Sequence, residues 1–187
     1  MNWKLEAAKL QFGLQHESKL PGVACSALAE GPDSPSLRIL AGLDGKDHVE
    51  VRTYLEKVLH ELEGEKLPTR DEAAWIIVRH LIDAIIDGSI EPHEGIHRLI
   101  HNVYNVMDWS ASTKKFVGDS IGIEKLYGLC VNFDELSEAK HRWSLWKSNK
   151  KLLTELQEDI KQAATEYKNN YLAQPPATGH GSQAHRT

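Results

Sequence analysis

The chain has 187 residues, 41% of them hydrophobic and 26% charged, with a net charge of −5. That composition supplies core enough for a globular fold and excludes general disorder. With no apolar run near the roughly 18 residues of a spanning helix, no signal-peptide pattern and only two cysteines, it also argues against a membrane protein and a disulfide scaffold.

The predicted elements are all helical. Residues 3–14 place Trp3, Ala7, Leu10 and Leu14 on one face. Lys19-Leu20-Pro21 restarts the chain into a short helix with Val23, Ala24 and Leu28 inward and Gly31 at its end. Asp33-Ser34-Pro35 is a cap followed by a first-turn proline, opening a third short helix through Leu40 and Ala41. After the Asp44-Gly45 turn, Asp47 and Glu50 form a capping box. Val51, Tyr54, Leu55, Val58 and Leu62 then follow at helical spacing up to Gly64. No run of strict alternation occurs in the first 110 residues, so no sheet is expected.

The most apolar stretch is a pair of helices at about 70–87 and 92–108. Thr69 and Glu72 form a T-x-x-E capping box, in which each residue's side chain can reach the other's amide. Trp75, Val78, Ile82, Ile85 and Ile86 make a stripe that Ile76, Ile77 and Leu81 widen, leaving Arg79, His80, Asp83 and Asp87 as the polar strip. Gly88 stops this helix and Pro92 opens the next, whose stripe is Ile96, Leu99, Ile100, Val103 and Met107. The short connection predicts antiparallel packing, with this hairpin at the centre of the bundle.

Beyond Trp109 the pattern weakens. Ser112 to Val117 suggests one or two helical turns. Gly118, Gly122 and Gly128 break the following segment, and Leu129 to Phe133 reads as a short extended piece. From Asp134 the pattern returns as one long C-terminal helix, at about 136–172, or two abutting ones, and carries Leu153, Leu156, Ile160, Ala163, Tyr167 and Tyr171 in a seven-residue rhythm, suited to its own bundle or to a homodimer partner. Residues 173–187 hold two prolines and small polar residues and read as a disordered tail. The expectation is an all-α bundle of six to eight helices, one domain over residues 1–172.

Asp33-Ser34-Pro35-Ser36-Leu37-Arg38-Ile39-Leu40-Ala41-Gly42-Leu43 and Asp87-Gly88-Ser89-Ile90-Glu91-Pro92-His93-Glu94-Gly95 resemble segments of small uncharacterised all-helical bacterial proteins. The resemblance spans about the first 110 residues. It implies a helical fold and a bacterial setting, and brings no activity or catalytic residue with it.

His93-Glu94-Gly95-Ile96-His97 fits the H-E-x-x-H pattern, in which two histidines four apart share a zinc ion and the glutamate polarises its water. Pro92 puts the motif in a first helical turn, however, Glu91 and Arg98 flank it with charge, and Ile100 stands where the extended form of the motif has glycine. The reading is that no cofactor or metal is required. The alternative is a metal-binding helical protein or metal-dependent hydrolase using this face, with His93, His97 and Asp83 as ligands. His93, His97 and His101 lie four apart with Tyr104 nearby, and across the hairpin Asp83 falls level with His97 and Asp87 with His93. These six form a candidate interaction surface at the edge of the apolar stripe.

Residues 1–136 carry 14 Lys and Arg against 22 Asp and Glu, a balance of −8, whereas residues 137–172 carry 7 against 5. An acidic body argues against nucleic acid as a partner. The basic segment Lys140-His141-Arg142-Trp143-Ser144-Leu145-Trp146-Lys147, with Lys150 and Lys151, reads as a helix whose tryptophans face the core. No nucleotide loop or nucleophile elbow occurs, and Cys25 and Cys130 read as reduced core residues. The function expected from sequence is therefore a non-enzymatic, cytoplasmic protein-binding module, of the bacterial immunity or adaptor kind, with a basic protein partner and no membrane contact.

Overall fold

The structure, a computed structural model, describes residues 1–107, 121–138 and 146–173, with side chains from Lys150 onward in the last stretch. Among the described residues there are eight α-helices and no strand, so the fold is all-α. No helix among them is long and apolar enough to cross a membrane. The chain divides into two compact units, Met1–Ala84 with His97–Asp108, and Ile85–Ile96 with Trp109–Thr187.

In the first unit α1 (Trp3–Gln11), α2 (Leu20–Glu30), α3 (Pro35–Gly42) and α4 (His48–Glu63) surround one apolar cluster. Trp3, Ala7 and Leu10 enter it from α1, Leu20, Ala24 and Ala27 from α2, Leu37 and Leu40 from α3, and Val51, Leu55, Val58 and Leu59 from α4. Each set recurs at three- and four-residue steps, which puts it on one side of its helix. Fully burying a leucine here is worth about 1.5–3 kcal/mol. The first helix is shorter than its pattern suggests. Gly13, at φ +73°, lets its own amide return to Leu10 O at 3.0 Å and the Leu14 amide to Lys9 O at 2.9 Å. That paired closure ends the helix, so Leu14 is exposed and Phe12 is buried instead. Cys25, expected in the core, is exposed as well. It lies one residue past Ala24 on α2, and its thiol meets Ala41 O at 3.4 Å.

The helix starts are satisfied partly from a distance. Two glutamates near the end of α4 serve two other helices. The amides of Trp3 and Lys4 donate to Glu63 at 2.7 and 3.0 Å, and the Ser36 amide and hydroxyl donate to Glu61 at 3.1 and 2.6 Å. Carboxylates at helix N-termini satisfy amides that have no partner within the helix, and they oppose the positive end of its dipole. The Ser36 hydroxyl, followed by that of Ser34, holds the Glu61 carboxyl below its ordinary 4.5. A depressed folded-state pKa adds stability above the unfolded value, and that stability is lost as pH falls through the folded one. Glu61→Gln is therefore expected to lower the thermal midpoint at neutral pH, with the gap to the parent chain narrowing on acidification below the ordinary glutamate range. A gap that stays constant in melts between neutral and acid pH would contradict the assignment.

α5 (Arg70–Asp87) begins on the expected capping box. The Thr69 amide donates to Glu72 Oε2 at 2.8 Å and the Glu72 amide to Thr69 Oγ1 at 3.3 Å. Val78 and Ile82 are fully buried, Ile77 and Leu81 nearly so, whereas Trp75 and Ile76 are half-buried.

The second unit begins with the last turn of α5, which Gly88 closes at φ +81°. α6 (Pro92–Leu99) starts at the expected proline; from His97 the chain counts to the first unit, where it continues as a π-helical segment, Ile100–Tyr104. α7 (Glu124–Glu138) packs on α8 (Trp146–Tyr167), which a second π segment extends to Leu172. Ile121, Ile123, Leu126 and Cys130 are buried, as are Ile160, Ala163, Tyr167 and Leu172. The Tyr167 hydroxyl donates to Ile121 O at 3.0 Å, and Lys125 pairs with Glu166 at 2.5 Å.

Two expectations are corrected here. Leu129 to Phe133 is helical, inside α7, because Ile123, Leu126 and Cys130 follow a helical repeat that outweighs one glycine; Gly128 faces open space and costs only its propensity. Asp134 to Glu138 likewise belongs to α7, and the described part of the C-terminal helix starts at Trp146. The turns expected at Ser112 to Val117, the Lys140 to Leu145 part of the basic segment and the tail from Gln174 lie outside the described residues.

Candidate functional site

His93 is the second residue of α6, and three contacts, from α7 and α8, fix it. Its amide donates to Gln157 Oε1 on α8 at 2.9 Å, and Gln157 Nε2 in turn donates to Glu91. Its ring stacks on Phe133 of α7, with centroids 4.0 Å apart. Its Nε2 lies 2.8 Å from Asp134 Oδ1. A helical turn before Asp134, Cys130 is buried with Sγ 3.9 Å from Asp134 Oδ2. One ligand-type atom from each of His93, Cys130 and Asp134 lies within 4.8 Å of the others.

Burial, and secondarily the Asp134 carboxylate, pushes the Cys130 thiol up to about 11. A thiol so placed stays protonated near neutral pH, which is the opposite of the tuning a catalytic cysteine needs. The sulfur's hydrogen-bond partner is the Asp134 carboxylate, whereas a nucleophilic triad places an imidazole in that role.

The other residues singled out from sequence are placed differently. The rings of His97 and His101 are 4.2 Å apart, the first half-buried and the second exposed. Tyr104 and Asp83 are half-buried. Asp87 is exposed and accepts the Ser89 amide at 2.8 Å, serving the turn. Within the H-E-x-x-H segment Gly95 and Ile96 are buried. A Cβ on Gly95 would stand 2.4 Å from Ile85 Cγ1, so this position is where the α6 backbone meets α5. Among the described residues, the groups that bring three ligand-type atoms together are His93 with Cys130 and Asp134, and the more exposed His16, Glu17 and His48.

Cys130 and Asp134 were not paired in the sequence because the piece holding Cys130, Leu129 to Phe133, reads as extended and ends just before Asp134. Four residues apart in a strand they would be about 13 Å apart along the axis, but about 6 Å apart in a helix. The signal that could have found them is the Ile123, Leu126, Cys130 repeat.

A second feature lies on α4. Its outward line carries Val49, Thr53, Glu56 and His60 at steps of four, three and four, all exposed. Val49 is 77% exposed and sits in a first turn capped by Asp47, whose carboxylate accepts the Glu50 amide at 3.0 Å. Gly45, at φ +75°, brings the preceding turn against the backbone of Ser18, where a Cβ would stand 3.0 Å away. The start of α4 is thereby held in place.

Comparison with known proteins gives no match: no family model, no curated protein and no solved structure corresponds to the chain.

Proposed function

We propose that this chain is a non-enzymatic protein-binding module, an acidic helical body that docks a more basic protein on the outer face of α4. The observation that carries the reading is Val49, held out in a capped first helical turn between the exposed Asp47 and Glu50. A single exposed valine needs no explanation. Here it heads a straight exposed line continued by Thr53, Glu56 and His60, the arrangement of an apolar anchor with a charged rim. The balance of −8 over residues 1–136 supports the same reading, because an acidic surface steers a basic partner and disfavours like-charged ones. The protonated state of Cys130 argues against a nucleophile there. Two free cysteines suit a reducing compartment such as the cytoplasm, and holding a partner without transforming it suits an adaptor or immunity role.

A photo-cross-linking residue in place of Thr53 tests this in extract of the source cell. The expected product is one stoichiometric adduct with a basic protein, absent when the same cross-linker replaces Lys150 on α8. No adduct, or the same adducts from both positions, would overturn the reading.

A further inference from the structure

We propose that His93, Cys130 and Asp134 form a binding site for one borderline-soft divalent metal ion of the zinc class, with a fourth position open to water or to an outside donor. The site is independent of the α4 face. Imidazole nitrogen, thiolate sulfur and carboxylate oxygen together select zinc-like ions over magnesium and calcium, which take oxygen ligands. Three protein ligands are also the number with which zinc keeps one position open.

The geometry is close to what such an ion needs. Tetrahedral bonds of about 2.0–2.3 Å place ligand atoms about 3.3–3.5 Å apart. His93 Nε2 stands 2.8 Å from Asp134 Oδ1 and Cys130 Sγ 3.9 Å from Asp134 Oδ2, and one ligand-type atom of each residue lies within 4.8 Å of the others. A metal therefore has to spread the nitrogen–oxygen contact and draw the sulfur in, through a rotation of the Asp134 carboxylate and the Cys130 side chain. The ligands are held beforehand. Cys130 and Asp134 are one turn apart on the 15-residue α7, and the His93 ring lies on Phe133 while its amide is tied to Gln157. Such support is what gives a metal site its precision.

Access is graded. Cys130 is buried, the His93 side chain is 18% exposed and that of Asp134 47%, so an ion enters past Asp134. Loading breaks the Cys130 S–H bond, forms the sulfur–metal bond and releases the proton to solvent. Thiolate and carboxylate then balance the two charges of the ion, which lifts the penalty of a lone buried anion.

The test uses the full chain carrying Cys25→Ser, which removes the exposed thiol, and titrates it with cobalt(II). The expected result is one equivalent bound with a near-ultraviolet thiolate-to-cobalt charge-transfer band, which stoichiometric zinc abolishes. Cys130→Ser should remove the band. Asp134→Asn, which keeps the side-chain shape, should weaken binding by more than roughly tenfold with the helical circular dichroism retained, and it decides the matter if Cys130→Ser fails to fold. His97→Ala should change neither band nor affinity. Absence of the band, its survival in folded Cys130→Ser, unchanged affinity in Asp134→Asn, or bound cobalt lost only in His16→Ala would each overturn the proposal.

Discussion

Ile82→Ala is expected to lower the unfolding free energy by about 2–5 kcal/mol, measured by denaturant titration with the slope unchanged. Ile82 is fully buried in α5, and α5 is apolar round most of its circumference, so the truncated side chain leaves a cavity that close-packed neighbours cannot fill. Stabilities of small domains are about 5–15 kcal/mol, which makes this one substitution a large share of the total. Ile86→Ala, on the same helix but half-buried, should cost distinctly less. Equal losses at the two positions would mean that the burial pattern of α5 is wrong.

Gly95→Val is expected to destabilise by about 1–3 kcal/mol, although a glycine inside a helix normally gains from replacement. The added Cβ would meet Ile85 Cγ1 at 2.4 Å and Cδ1 at 2.7 Å, and Ile85 is itself fully buried. Shortening Ile85 should relieve the clash. The Gly95→Val, Ile85→Ala double variant is accordingly expected to lose less than the two single changes added together, a coupling that a double-mutant cycle measures directly. Strict additivity would show that the two side chains do not share the space. The result also bears on the H-E-x-x-H segment, since close helix packing accounts for its central glycine without any appeal to zinc chemistry.

What was legible in the sequence was local. The Thr69–Glu72 box, the Ser34 and Asp47 caps, and the stops at Gly31, Gly64 and Gly88 are all present, because each depends on residues within about four positions of one another. The repeats of α2 to α6 were equally readable, and they define the all-α class. The contacts that join helices were not. Glu63 at the start of α1, Glu61 at the start of α3 and Gln157 at the start of α6 act across 60, 25 and 64 residues, and no local pattern announces them. α7 was hidden by Gly128, which does not interrupt it, and the Cys130–Asp134 pair was hidden with it. His93 was among the six residues singled out, and its Nε2 meets Asp134 of α7, a partner from a helix that the hairpin register does not include.

The claim that acidic residues around Val49 dock a basic protein is tested most directly by calorimetric titration. The cross-linked partner, once purified, is titrated with the parent chain and with a Glu50→Lys, Glu56→Lys double variant between about 50 and 300 mM salt, a range over which exposed charges become screened. Both positions are exposed, so the variant should stay folded, with only a small fall in thermal midpoint from the charge reversal in the first turn of α4. The account predicts parent binding that weakens steadily with salt, and variant binding at least roughly tenfold weaker at the lowest salt with a shallower dependence. Equal affinities and equal salt slopes for the two proteins would contradict it.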